Sequence, residues 1–265
     1  MTARSTWPIN VLASAFGPHL DSRRLNMAIC VGYLEANERD APATLTVTGL
    51  VSPKVCWQSF EDRWPRALRA QGLTAFSGRD FIQGTGEFSG GWMGNAERRS
   101  RLIAALSRVA AEQVTLGVSY SLSLADYRAV TRTLAHREML PTPYAVCAGV
   151  AMARILRRMA GAPSRDVTLF VFEDGGIDHR QVRQVAAVDG IDRGEPVQIW
   201  PREWRDEHGR TRLLRPLEAC DLLLPGCRSG LPDRLVERGV WDEEFLDRAR
   251  LSGIFQSMAA AELVT

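Results

Sequence analysis

Apolar positions along the chain recur with two periods, and the switching between them predicts an α/β protein. Residues Ala43 to Val51 set Leu45, Val47 and Gly49 against Thr44, Thr46 and Thr48, the period-two pattern of a half-buried strand. Met27 to Glu35 is another strand candidate, followed by a polar turn and Pro42, and the two together predict an antiparallel hairpin. Ser52 and Pro53 read as a helix cap and a first-turn proline. Trp57, Phe60, Trp64 and Leu68 then recur at helical spacing, so this helix is expected to lay an aromatic stripe on the sheet.

From Gln71 to Asn95 the chain carries Gly84, Gly86, Gly90, Gly91 and Gly94, which predicts a long loop of the kind that often has a function. A helix from about Ala96 to Glu112 leads to an apolar strand, Leu116 to Leu122. Tyr144 to Met159 is a second helix after Pro141 and Pro143. Asp166 to Phe172 reads as a strand that runs into Glu173-Asp174-Gly175-Gly176, followed by a helix from Asp178 to Val188. A short strand is expected within Ile191 to Trp204, a short helix over Pro216 to Leu224, and a helical C-terminus over Asp242 to Ala261. The expectation is a mixed sheet flanked by helices in one domain spanning 1–265, with a core over about 27–224 and a C-terminal helical extension over 225–265.

Composition changes this picture little. At 265 residues and 45% hydrophobic content the chain can bury a sizeable core. Its longest apolar run, Tyr144 to Ala153, stops at Arg154, short of the roughly 18 residues of a membrane span. The N-terminus, with Arg4, Trp7 and Pro8, lacks the pattern of a secretory signal, so a cytoplasmic protein without a membrane partner is expected. Cys30, Cys56, Cys147, Cys220 and Cys227 show no CxxC spacing and read as reduced core residues. His19, His136, His179 and His208 stand far apart without a GxSxG elbow, which gives a serine hydrolase little local support. The glycine-rich stretch Gly84 to Gly94 lacks GxxxxGK[ST] and so lacks the context of a nucleotide-binding loop. Net charge is +2 and Lys54 is the one lysine, so arginine, whose planar fork matches phosphate, carries the positive charge. A genome that favours arginine codons accounts for most of that excess.

The acids carry more information. Hydrolysis of a phosphodiester with two divalent ions needs several carboxylates converging from different elements, because such ions prefer oxygen ligands. Glu35 and Glu173 fall at predicted strand ends, and Asp221 lies between apolar neighbours Cys220 and Leu222. An acid at a strand end is ordinarily a solvated turn residue. A carboxylate among apolar residues is costly to bury unless paired or metal-bound, although the polar face of an amphipathic helix would also hold it.

These positions resemble the family catalogued as domain of unknown function 3800, whose members look like RNase H-fold nucleases. Tyr33-Leu34-Glu35-Ala36-Asn37-Glu38 resembles that family's opening Tyr-x-Asp-x-Ser-Gly, with glutamate as the lead acid and the serine and glycine replaced. Thr46-Val47-Thr48-Gly49-Leu50-Val51 and the tryptophan-bearing stretch Trp57 to Trp64 are similar to its glycine-containing strand and following helix. Phe76-Ser77-Gly78-Arg79-Asp80-Phe81 resembles its Phe-His-x-x-Asp element, with Ser77 in place of the histidine, and Glu87-Phe88 and Gly91-Trp92 resemble its loop. Val171-Phe172-Glu173-Asp174-Gly175 and Pro216-Leu217-Glu218-Ala219-Cys220-Asp221-Leu222-Leu223 are similar to its second acidic strand end and its late helix.

The resemblance, which spans about Met27 to Leu224, implies an RNase H-like fold and a divalent-metal-dependent nuclease acting on DNA or RNA. It implies Glu35, Glu173 and Asp221 as catalytic and metal-binding acids for Mg2+ or Mn2+, with Asp80 as a further metal contributor. Arg79, Arg98, Arg99 and Arg101 would position a strand through its phosphates, although the same arginines also read as a solvated helix face. The alternative is a catalytically degenerate module, within a larger bacterial system, that binds nucleic acid or a protein partner. Oligomeric state stays open.

Overall fold

In the computed structural model the described residues are 25–35, 43–132, 134, 140–159, 167–173, 179–188, 197–200, 203–205, 211–223, 227 and 230–262. The elements run β1 (Leu25–Glu35), β2 (Thr44–Pro53), α1 (Lys54–Arg69), α2 (Gly78–Gln83), α3 (Ala96–Gln113) and β3 (Leu116–Ser123). They continue with α4 (Leu124–Thr131), α5 (Pro143–Met159), β4 (Val167–Glu173), α6 (His179–Val188) and β5 (Val197–Trp200). The last are β6 (Glu203–Arg205), β7 (Thr211–Leu213), α7 (Arg215–Cys220), α8 (Leu231–Glu237), β8 (Trp241–Leu246) and α9 (Arg248–Glu262).

Six strands form one sheet in the order β5-β4-β1-β2-β3-β8. Residues 36–43, which join the neighbours β1 and β2, are too few for the crossover that parallel strands require, so this pair is antiparallel. Backbone bonds from Thr115 to Val51 and from Leu124 to Ala43, each 2.9 Å, link opposite ends of β2 and β3 and make that pair antiparallel as well. β4 and β5 run parallel, with Phe170 opposite Val197 and Glu173 opposite Trp200. The sheet is therefore mixed, and the α/β class read from the sequence holds. β6 and β7 form a separate antiparallel pair.

The chain divides into two compact units, and β1, β2, β3 and β8 each contribute residues to both. The first unit takes in Leu50–Gly117, Pro201–Trp241 and the described residues up to Ile29. Here α1 packs on α3 and on α7, and Trp57, Phe60, Trp64 and Leu68 are fully buried, as their spacing predicts. The second unit takes in Cys30–Gly49, Val118–Trp200 and the residues from Asp242 onward. In it α5 packs on α6 so closely that a Cβ on Gly149 would lie 2.5 Å from the Val185 Cβ and 2.7 Å from the Val182 carbonyl oxygen. No helix among the described residues is long and apolar enough to cross a membrane.

Four expectations are corrected. β2 is buried along nearly its whole length rather than on one face: successive side chains, which point to opposite faces of the sheet, are both covered, and Thr46 bonds Ser121 at 2.8 Å. Ser52 does not cap α1; its hydroxyl donates to the Gln113 carbonyl, and Pro53 precedes the helix without a side-chain cap. Residues 71–95 are not a plain loop. They hold α2 and a 3-10 turn at Gly86–Phe88, built around Phe76, Phe81, Phe88 and Trp92, all buried. Ser77 caps α2 by accepting from the Asp80 amide, and Gly84 ends it at φ 69°, a left-handed conformation that glycine adopts at little cost. Finally, the region after residue 224 is not wholly helical, since β8 joins the main sheet beside β3.

Candidate functional site

In the first unit, Asp221 opens a 3-10 turn directly after α7 and is 2% exposed. Its Oδ2 accepts from the Gly78 amide at 2.7 Å, so the carboxylate meets the first residue of α2. Asp80, two residues on, accepts from the Thr85 hydroxyl at 2.6 Å and takes part in the local turn. One turn before Asp221 lies a carboxylate that the sequence reading passed over. Glu218 is 1% exposed and accepts from Trp64 Nε1 at 2.7 Å, from the Phe76 amide at 3.3 Å and from Arg215 at 2.6 Å. Burial pushes its carboxyl up to about 7, against the pull of Arg215 and the Trp64 and Phe76 donors. The signal was the one used for Asp221, an acid with apolar neighbours in the same short helix.

Glu87, from the loop motif of the resemblance, also has a local role. It accepts from the hydroxyl and amide of Thr74 and, at 3.5 Å, from the Ala75 amide. Burial raises its carboxyl, but these bonds together outweigh burial and leave it below the ordinary glutamate value.

The arginines named from the sequence separate by environment. Arg98 lies 3.8 Å over the Trp92 ring and donates to the Gln71 carbonyl at 3.0 Å. Arg99 lies 3.8 Å over the Phe81 ring and donates to its carbonyl at 2.7 Å. Arg101 pairs with Glu97 one turn away on the exposed face of α3, and Arg79 is exposed on α2. Of the four, Arg99 alone lines a concavity of about 800 Å³ beside α3 and α8, which Arg234 also lines. Cys227 also lines this space. Burial pushes its thiol up to about 12, with Asp221 adding to the rise and Arg99 opposing it.

In the second unit, Glu35 and Glu173 are the last residues of β1 and β4, which are neighbours in the sheet. Glu173 is half-buried; the Glu35 side chain lies outside the described residues. The unit also holds a charged network absent from the sequence reading. Tyr120 on β3 donates to Asp242 on β8 at 2.8 Å, and Arg158 pairs with Asp242 at 3.6 Å. Arg154 and Arg250 pair with Glu244 at 3.2 and 3.4 Å. Burial, with Asp242 beside it, raises the Tyr120 hydroxyl above its ordinary value, so it remains a donor at neutral pH.

Asp221 and Asp80 thus belong to the first unit, and Glu35 and Glu173 to the second. Among the described residues no group of three or more His, Cys, Asp or Glu is assembled as a metal cluster. Cys56, Cys147 and Cys227 are free thiols, and Cys220 donates to the Ile29 carbonyl of β1 at 3.3 Å. His19, His136 and His208 lie outside the described residues, as does the His179 side chain.

No family model and no curated protein matches this chain. The likeness to the domain of unknown function 3800 family therefore rests on the motifs themselves.

Proposed function

We propose that this chain is a divalent-metal-dependent nuclease of RNase H-like fold, hydrolysing phosphodiester bonds in DNA or RNA. The observation that carries this is the placing of Glu35 and Glu173 at the ends of β1 and β4, adjacent strands inside the sheet. The fold part draws support from the sheet itself, in which an antiparallel β1-β2-β3 run is extended past β1 by the parallel pair β4-β5.

Carboxylate oxygens suit the hard ions Mg2+ or Mn2+, so the donor chemistry of Glu35 and Glu173 fits. Glu35 and Glu173 would be the residues that hold such an ion, which would supply charge stabilisation for the attacking and leaving oxygens. The chain's own part is to hold Glu173 at the end of β4, an internal strand of the sheet. Asp221, in the first unit, is the further acid that the motif likeness names, and its hydrogen-bond partner makes a clean test possible. An asparagine at 221 retains an oxygen to accept from the Gly78 amide but loses the negative charge.

The test is cleavage of labelled single- and double-stranded DNA and RNA with magnesium, manganese or chelator. Wild type is expected to cut with metal and not with chelator. Glu173→Gln and Asp221→Asn should each lower the rate by about a hundredfold or more while unfolding with an unchanged midpoint. Cleavage at the wild-type rate by both variants would refute the assignment.

A second reading is a catalytically inactive module that binds nucleic acid or a protein. It is favoured by the structural engagement of Asp221 with Gly78 and of Arg98 and Arg99 with Trp92 and Phe81. Strand binding by a wild type that cuts under no condition would move the assignment to it.

A further inference from the structure

The concavity beside α3 and α8 combines features that a single class of small molecule uses together. Its volume, about 800 Å³, is that of a small-molecule site. One wall is apolar, made by Ile103 and Ala104 of α3 and by Met93, which is 59% exposed. Cation and hydroxyl come from Arg99 and Ser100 of α3, and a further cation from Arg234 of α8. Arg99 is held in place before any ligand arrives by its stacking on Phe81 and its bond to the Phe81 carbonyl. A cation fixed in this way loses little freedom on binding an anion. Cys227 contributes a neutral thiol rather than a charge, and Glu237 is the one carboxylate among the described lining residues.

We propose that this concavity binds a nucleoside phosphate, either free or at the end of a nucleic-acid strand. The phosphate lies between Arg99 and Arg234, with Ser100 as a further donor, because guanidinium forks match phosphate oxygens in geometry and charge. The base or sugar covers the apolar wall, where Met93 adapts to its shape. An acidic peptide would meet the arginines but leave that wall uncovered. The inference rests on the nucleic-acid reading above and deepens it.

The test is equilibrium binding of adenosine 5′-monophosphate, adenosine, inorganic phosphate and a glutamate-rich peptide to the full chain, all with chelator present so that nothing is cut. The monophosphate is expected to bind about tenfold or more tightly than adenosine or phosphate alone. Arg234→Ala should weaken it by about tenfold, whereas Arg69→Ala, an exposed arginine of α1 outside the concavity, should leave it unchanged. Arg234 is exposed, so its removal should not shift the unfolding midpoint, and that is measured alongside. A 5′-phosphorylated oligothymidylate that binds more tightly than the monophosphate identifies a strand end as the occupant; the reverse order identifies a free nucleotide. Absence of monophosphate binding, equal binding by Arg234→Ala, or equal competition by the peptide overturns the proposal. The nuclease reading fails separately. A wild type that binds the monophosphate but never cuts refutes the nuclease alone, and one that cuts with Arg234→Ala binding unimpaired refutes this site alone.

Discussion

Glu218 shows how one buried carboxyl links pH to stability. Its folded value of about 7 lies above the ordinary 4.5, so between those values the native state keeps a proton that the unfolded chain has released. Rising pH across that window therefore favours unfolding, and the stabilising contribution present below 4.5 is gone above about 7. The loss is about 3 kcal/mol in wild type. Glu218→Gln, which carries no titrating proton, should escape it, so its stability relative to wild type rises by that amount from pH 4.5 to pH 7.5 in urea unfolding. A difference that does not change with pH would show that Glu218 stays ionised throughout, stabilised by Trp64, Phe76 and Arg215.

At the scale of elements, the segment between α1 and α3 departs most from its local sequence pattern. Its glycines suggested a loop, yet ring contacts link Trp64 to Phe76 at 6.3 Å, Phe76 to Phe88 at 5.9 Å and Phe88 to Trp92 at 5.3 Å. The four rings extend the aromatic stripe of α1 into a small core of their own. Phe88→Ala should therefore cost about 3–5 kcal/mol in guanidinium unfolding, the range for a buried phenylalanine. A cost below about 1 kcal/mol, the range of surface sites, would restore the loop reading. The Ser77-x-x-Asp80 cap and the left-handed Gly84 were both legible as helix signals, but the surrounding glycines concealed them. α4 and α8 escaped the sequence reading because each is a short element whose existence depends on packing, on α9 and α3 respectively.

At the scale of the whole molecule, the sheet shows what a local pattern can miss. Trp241 to Leu246 carries three acids in six residues, which reads as a polar helix start. It becomes a strand beside β3 because Asp242 and Glu244 find Tyr120, Arg154 and Arg158, partners far away in sequence, together with the nearby Arg250. A chain ending at Leu224 should therefore lose cooperative thermal unfolding rather than survive as a trimmed core, since β3 loses its neighbour and Tyr120 its acceptor. Retention of a sharp transition in calorimetry would show that the region after 224 is an appendage after all.

The sequence by itself determined the α/β class, the places of most long strands and helices, and the aromatic face of α1. These depend on periodicity, which is a property of neighbours along the chain. Tertiary structure alone decided the strand pairings beyond the β1-β2 hairpin, that Glu218 meets Trp64 across 154 positions, and that Arg234 and Arg99 line one concavity while Arg98 and Arg101 do not line it. Those outcomes depend on which buried groups satisfy one another across the chain, and spacing between neighbours carries no record of that choice.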